Sequence, residues 1–328
     1  MDAIFAEYRD KDKNFIKDFQ QTGFSARVWE LSLFAFLRDC DLDLDESYRY
    51  PDYVVTRPHE FALEAVTSQP TQGVVADPKP SALSLVPEDV EAGQKELVFR
   101  VGDAIQKKIN KRTATGQAYW ELDHVAGKPF VIAVEAFHSA SSLFHAVTFV
   151  SQYLYGQQAV GTRGTDGRLA VSAKPITEHV WGKKSKPSGL FNSPDAENVS
   201  AILFSNGATV AQFNRIGIQE GFGLDDEIVV LRQGTCMDYD PDASEPVTFA
   251  YIVGDPNSPY EDFKQVMNVM YNPNAKIPLP EGAFPGVAEH HFEADGRVSV
   301  TCQGFHPFAS VTQIFTGRKA AKIRAQLT

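Results

Sequence analysis

The sequence predicts a mixed α/β fold, in which a central mixed sheet is flanked by helices and followed by a β-rich C-terminal extension. Three observations predict it. Between Tyr53 and Tyr155 the apolar patterning runs strand, strand, helix, strand, helix, a succession that builds layered α/β structures. Residues 130–137, FVIAVEAF, are almost continuously apolar, as in a strand covered on both faces. From Ile216 to Phe315, strand-like runs such as VTFAYIVG and RVSVTCQGF alternate with loops and many prolines. With 328 residues, 43% hydrophobic and 22% charged, the chain suffices for one large domain or two ordinary ones. The expected division is a core with an N-terminal helical arm over residues 1–175. A β-rich region over 176–328 then either extends the same sheet or stands beside it.

Residues 1–23 are polar with scattered aromatics and predict a helix or arm, to which no function is assigned. Ser25 is placed to cap the next helix, ARVWELSLFAFLRDC. Val28, Trp29, Leu31, Leu33, Phe34 and Phe36 make that helix apolar on nearly every side, so it should be buried. Asp41 to Tyr50 alternates leucines with acids, the pattern of an edge strand, and Asp41, Asp43 and Asp45 read as solvated. Tyr50 to Thr67 predicts a hairpin: Tyr53–Val55 and Phe61–Thr67 are strand formers, with Arg57-Pro58-His59 as the turn. Four prolines between Ser68 and Gln94 predict a long loop. Leu97 to Arg112 has Val98, Val101, Ile105 and Ile109 at helical spacing, with Lys108 and Lys111 on a neighbouring face. A second helix is expected from Ser139 to Tyr155, with His138 and His145 flanking it outside any site. Gly156 to Ser188, rich in Gly and Lys, reads as a boundary, and Asn198 to Phe213 as a hairpin around Asn206-Gly207.

Glu64 is the residue that calls for chemistry. It lies among Ala62, Leu63, Ala65 and Val66, where an unpaired charge is costly to bury. The hairpin brings Asp52 to the same place, and a hard divalent cation shared by two carboxylates would compensate both. A helix, then strands, Pro51-Asp52, and Glu64 at a strand's end resemble the PD-(D/E)XK nuclease superfamily over roughly Phe24 to Phe137. The resemblance implies a restriction-endonuclease-like core: a helix, three antiparallel strands, a second helix and a further strand. It implies that Asp52 and Glu64 hold Mg2+ or Mn2+, with Glu30 of the first helix reaching the metal. In that family a Lys two residues beyond the second acid positions the water, and here Val66 occupies that place. The family is known to relocate this Lys to the next helix, which makes Lys108 the expected substitute and Lys111 the reserve. Read from the residues alone, Glu30 pairs equally well with Arg27, and the two lysines equally well face solvent.

The function implied is hydrolysis of nucleic acid phosphodiesters, with DNA the expected substrate. The alternative is a catalytically degenerate nuclease-fold module that binds nucleic acid, a protein partner or a second copy of itself. A net charge of −11 works against non-specific attachment to phosphate backbones, so any binding face must be locally basic. Clusters such as Lys107–Arg112, Lys183–Lys186 and Arg318–Arg324 supply candidates. Three scattered cysteines without metal-ligand spacing suggest buried thiols in a reducing cytoplasm. No signal-peptide core opens the chain and no run of about 18 apolar residues occurs, so no membrane span is expected. DYDPDAS at 238–244 fails as a calcium loop, having Ala243 and Phe249 where Gly and Glu are needed. His290 and His291 point to opposite faces of a strand and cannot readily share a metal.

Overall fold

The computed structural model describes every residue except 12, 22, 69–88, 145, 223–226 and 328. Two short helices, α1 (Asp2–Glu7) and α2 (Phe15–Phe19), lead into α3 (Phe24–Asp39). Ser25 is not the cap of α3: the N-cap is Gly23, no side chain bonds there, and Ser25 falls inside the first turn. Of the expected edge strand only β1 (Asp43–Leu44) pairs, because Asp45 turns the chain by accepting the Ser47 N–H. The hairpin follows as β2 (Tyr53–Arg57) and β3 (Phe61–Ser68), antiparallel with Tyr53 opposite Leu63.

Helix α4 (Val90–Ile109) is capped by Asp89, whose carboxylate accepts the Ala92 N–H. The final residues of the expected loop up to Gln94 are therefore helical, and residues 69–88 of it lie outside the described residues. Strand β4 (Phe130–Ala136) then pairs in parallel with β3, giving a βαβ crossover through α4. A short 3-10 turn precedes α5 (Val147–Tyr155), so the helix expected from Ser139 is shorter. Two small hairpins occupy the expected boundary: β5 (Gln157–Arg163) with β6 (Leu169–Pro175), and β7 (Glu178–Trp181) with β8 (Lys184–Pro187).

The hairpin expected from Asn198 to Phe213 is not formed. Strand β9 (Ala201–Ser205) pairs with β4, and the chain then turns into helix α6 (Val210–Gln219). Ser205 Oγ accepts the N–H groups of Gly207 and Ala208 at 3.1 and 3.2 Å, so Asn206-Gly207 closes a strand-to-helix turn. Beyond it come β10 (Ile228–Cys236), β11 (Val247–Ile252), β12 (Met267–Tyr271), β13 (Ala288–Phe292), β14 (Val298–Thr301), β15 (Pro307–Thr316) and α7 (Gly317–Leu327).

Among the described residues the main sheet has eight strands in the order β1-β2-β3-β4-β9-β12-β13-β14, drawn from both halves of the chain. Strands β11-β10-β15 form a separate sheet of three. Alternation along the central strands builds the layers. Phe61, Leu63, Val131, Ala133 and Leu203 face α3 with Trp29, Leu33 and Phe36. Ala62, Ile132, Val134, Ile202 and Phe204 face the opposite way, onto Leu97, Val101 and Ile105 of α4 and Leu154 of α5. Both faces being covered explains the unbroken apolar run of β4. All three cysteines are free thiols, of which only Cys40 is buried. No helix among the described residues is long and apolar enough to cross a membrane.

Candidate active site

Antiparallel pairing of β2 with β3 carries one residue past Tyr53 and Leu63, so Asp52 comes to lie beside Glu64. The contact is direct. The Asp52 N–H donates to Glu64 Oε2 at 3.3 Å, and Asp52 Oδ2 accepts the Ala65 N–H at 2.7 Å. Glu64 shares the parity of Ala62 and so points to the α4 face of the sheet, where its side chain is 3% exposed. From that helix Lys108 Nζ reaches Glu64 Oε1 at 2.5 Å, and Lys111 Nζ reaches the same oxygen at 3.3 Å. Their separation of three positions is one helical turn, which places both amines over one carboxylate.

Two forces act on the Glu64 proton. Burial and the negative charge of Asp52 push its pKa up to about 7, against the pull of Lys108 and Lys111. Lys111 is displaced upwards: burial opposes the charged amine, but contacts with Tyr119 and Glu64 outweigh that effect. Its ammonium also lies 5.0 Å from the centroid of the Tyr119 ring.

Glu30 stands on the other face. Its helix, α3, packs opposite α4, and its oxygens accept from the Tyr8 hydroxyl and from Arg27 Nη1 at 2.5 Å. The Arg27 pair allowed by the sequence is thus formed. Burial raises the Glu30 pKa, with the Tyr8 and Arg27 bonds opposing that shift and Asp52 adding to it. Asp52 sits between the two acids, and with Glu30, Tyr8 and Lys11 it lines a cavity of about 40 Å³, room for a few waters or an ion. The structure therefore brings together Asp52, Glu64, Lys108 and Lys111, and leaves Glu30 outside that group, lining the small cavity with Asp52. Among the described residues no three or more His, Cys, Asp or Glu side chains form a group placed to hold a metal ion.

No family model, curated protein or solved structure matches the chain. The chemistry of the centre thus rests on its own donors. Among the described residues, Glu64 Oε1 is held by the two lysines, while its Oε2 has only the long Asp52 contact. Asp52 Oδ2 is held by Ala65. Asp52 Oδ1 and Glu64 Oε2 remain as hard oxygen donors, a set that fits magnesium or manganese, since such ions bind one or two carboxylates and keep several waters.

Three participants were not legible in the sequence. Tyr8 and Lys11 come from the arm to which no function was assigned; Lys11 Nζ donates to the Asp52 carbonyl at 2.9 Å. Tyr119 lies between α4 and β4 in a stretch without periodicity. Their contacts span from 8 to 41 positions, and no local pattern announces them.

Proposed function

We propose that the protein is a metal-dependent nuclease that hydrolyses phosphodiester bonds of nucleic acid, with DNA as the substrate. The observation that carries this reading is the meeting of Asp52 and Glu64 with the Lys108 amine 2.5 Å from the second carboxylate. Asp52 and Glu64 would hold the ion, and Glu30 stands outside that pair, lining the small cavity with Asp52. A magnesium or manganese ion bound there supplies water activation and offsets charge developing on the scissile phosphate.

The chain's own groups do the rest. Lys108, 14% exposed and fixed by Glu64, orients the attacking water and assists its loss of a proton, the task that Val66 cannot perform. Lys111 adds a second positive charge next to the place where the phosphate oxygens must lie. Ala65 N–H fixes the Asp52 carboxylate by a 2.7 Å bond, so its free oxygen is aimed before the substrate arrives.

The test is cleavage of DNA in magnesium by isosteric variants. Asp52→Asn and Glu64→Gln should lose cleavage while unfolding close to the wild type, and Lys108→Met should fall by about 10²- to 10⁴-fold, the range for one proton-transfer group. Full activity in either carboxylate variant would remove the proposal. One observation favours the alternative of a binding module: two lysines already neutralise Glu64 without any ion. That reading expects nucleic acid or protein binding with no dependence on divalent metal.

A further inference from the structure

Beside the carboxylate pair the surface changes character. Arg9, Lys11, Lys13 and Arg49 line an open groove of about 490 Å³, with Asp10 and Glu46 the opposing acids among the described residues. On a chain of net charge −11 this local excess of cations marks a place where an anionic ligand is tolerated. The groove is continuous with the centre. Arg9, Lys11 and Arg49 also line the small cavity that holds Asp52, and Lys11 Nζ bonds the Asp52 carbonyl at 2.9 Å.

Tyr48 of the groove lining and Tyr50, two positions further along the chain, form two aromatic steps. Tyr48, 37% exposed, lies flat on His124, with centroids 3.7 Å apart and planes 1° from parallel. Tyr50, 40% exposed, is stacked on Tyr119 at 5.4 Å, with the Arg49 guanidinium 5.3 Å from its centroid. Each tyrosine is backed by one ring and keeps much of its surface open to solvent, and the Tyr50 carbonyl is tied to His124 Nε2 at 2.6 Å. Such rings are fixed platforms. Lys111, under Tyr119, is the amine that also contacts Glu64, so the steps end at the proposed centre.

We propose that this groove binds single-stranded DNA, the unpaired bases stacking on Tyr48 and Tyr50 and the phosphates lying along Arg9, Lys11, Lys13 and Arg49. A basic track for the backbone next to aromatic faces for the bases is the recognition chemistry of single strands. A duplex has no use for the rings, since its base faces are already stacked and only its edges and phosphates are presented. Delivery of a phosphodiester to Asp52 and Glu64 rests on the nuclease reading; the binding does not.

The experiment measures fluorescence anisotropy of a labelled oligodeoxynucleotide, single-stranded or annealed to its complement, in EDTA so that binding is read without cleavage. The wild type should prefer the single strand. Tyr48→Ala should weaken single-strand binding by about 5- to 100-fold, the range for one lost stack, and leave duplex binding and melting temperature unchanged. Tyr48→Phe should restore it. Equal affinity for both forms, or a single-strand affinity that Tyr48→Ala does not move, overturns the proposal. Cleavage in magnesium separates it from the reading beneath. Tyr48-dependent binding without hydrolysis removes the nuclease and keeps the groove, whereas single-strand hydrolysis indifferent to Tyr48→Ala removes the groove and keeps the nuclease.

Discussion

Two buried glutamates on neighbouring strands meet different fates. Glu64 has two lysines over it, whereas Glu135 on β4 is fully buried and neither of its oxygens meets a donor in hydrogen-bonding geometry among the described residues. Burial pushes Glu135 up to about 8, the nearby Ser205 hydroxyl and Ala208 amide offsetting only part of the shift. The folded protein holds this proton more tightly than the unfolded chain does. Stability from this group is therefore complete below the ordinary glutamate range, falls as pH climbs, and is lost above about 8. Glu135→Gln, which needs no proton to stay neutral, should remove that slope. Above pH 8 its unfolding free energy should exceed the wild-type value by roughly 3 to 5 kcal/mol, with the two converging near pH 4 to 5. Denaturant titration at several pH values checks this, and parallel curves would contradict it. Glu64 was legible because a lone acid in an apolar run needs compensation. Glu135, in an equally apolar run, carries the same signal, but the sequence cannot say which of the two has an amine within reach.

At the scale of elements, local pattern was the guide and tertiary pairing set its limits. The β2–β3 hairpin, α4 and β4 follow from strand formers around a turn, from helical spacing and from continuous apolarity. The stretch after β9 misled because Asn-Gly between β-prone residues is equally good at turning a strand into a helix, and β9 finds its partners in β4 and β12. Element contacts of long range were invisible for the same reason. Arg215 of α6 and Arg232 of β10, both buried, share the single carboxylate of Glu261, by a bidentate pair at 2.8 and 2.6 Å and a contact at 3.1 Å. This triad joins α6 to the three-stranded sheet. Removing the carboxylate strands two guanidiniums in the interior, so Glu261→Gln should lower the unfolding free energy by about 3 kcal/mol or more. Chemical denaturation measures it, and a loss under about 1 kcal/mol would show that water already solvates the arginines.

Over the whole molecule, β9 and β12–β14 continue the sheet that β1–β4 begin, so the residues on either side of position 175 share one sheet. The fold class was legible from the order of elements; the extent of the sheet was not, because strand order across distant segments leaves no local mark. The net charge of −11 was legible too, yet it averages over a surface on which cations gather beside Asp52. The central claim is that Asp52 and Glu64 jointly hold a divalent cation. Its most direct test is the melting temperature titrated with magnesium or manganese, in the wild type and in Asp52→Asn and Glu64→Gln. A ligand bound only by the folded state stabilises it by about 2.7 kcal/mol at a hundredfold excess over Kd. The wild-type melting temperature should therefore climb steadily with metal concentration while both variants stay flat. A wild-type curve that does not move, or three curves that move together, would contradict the account.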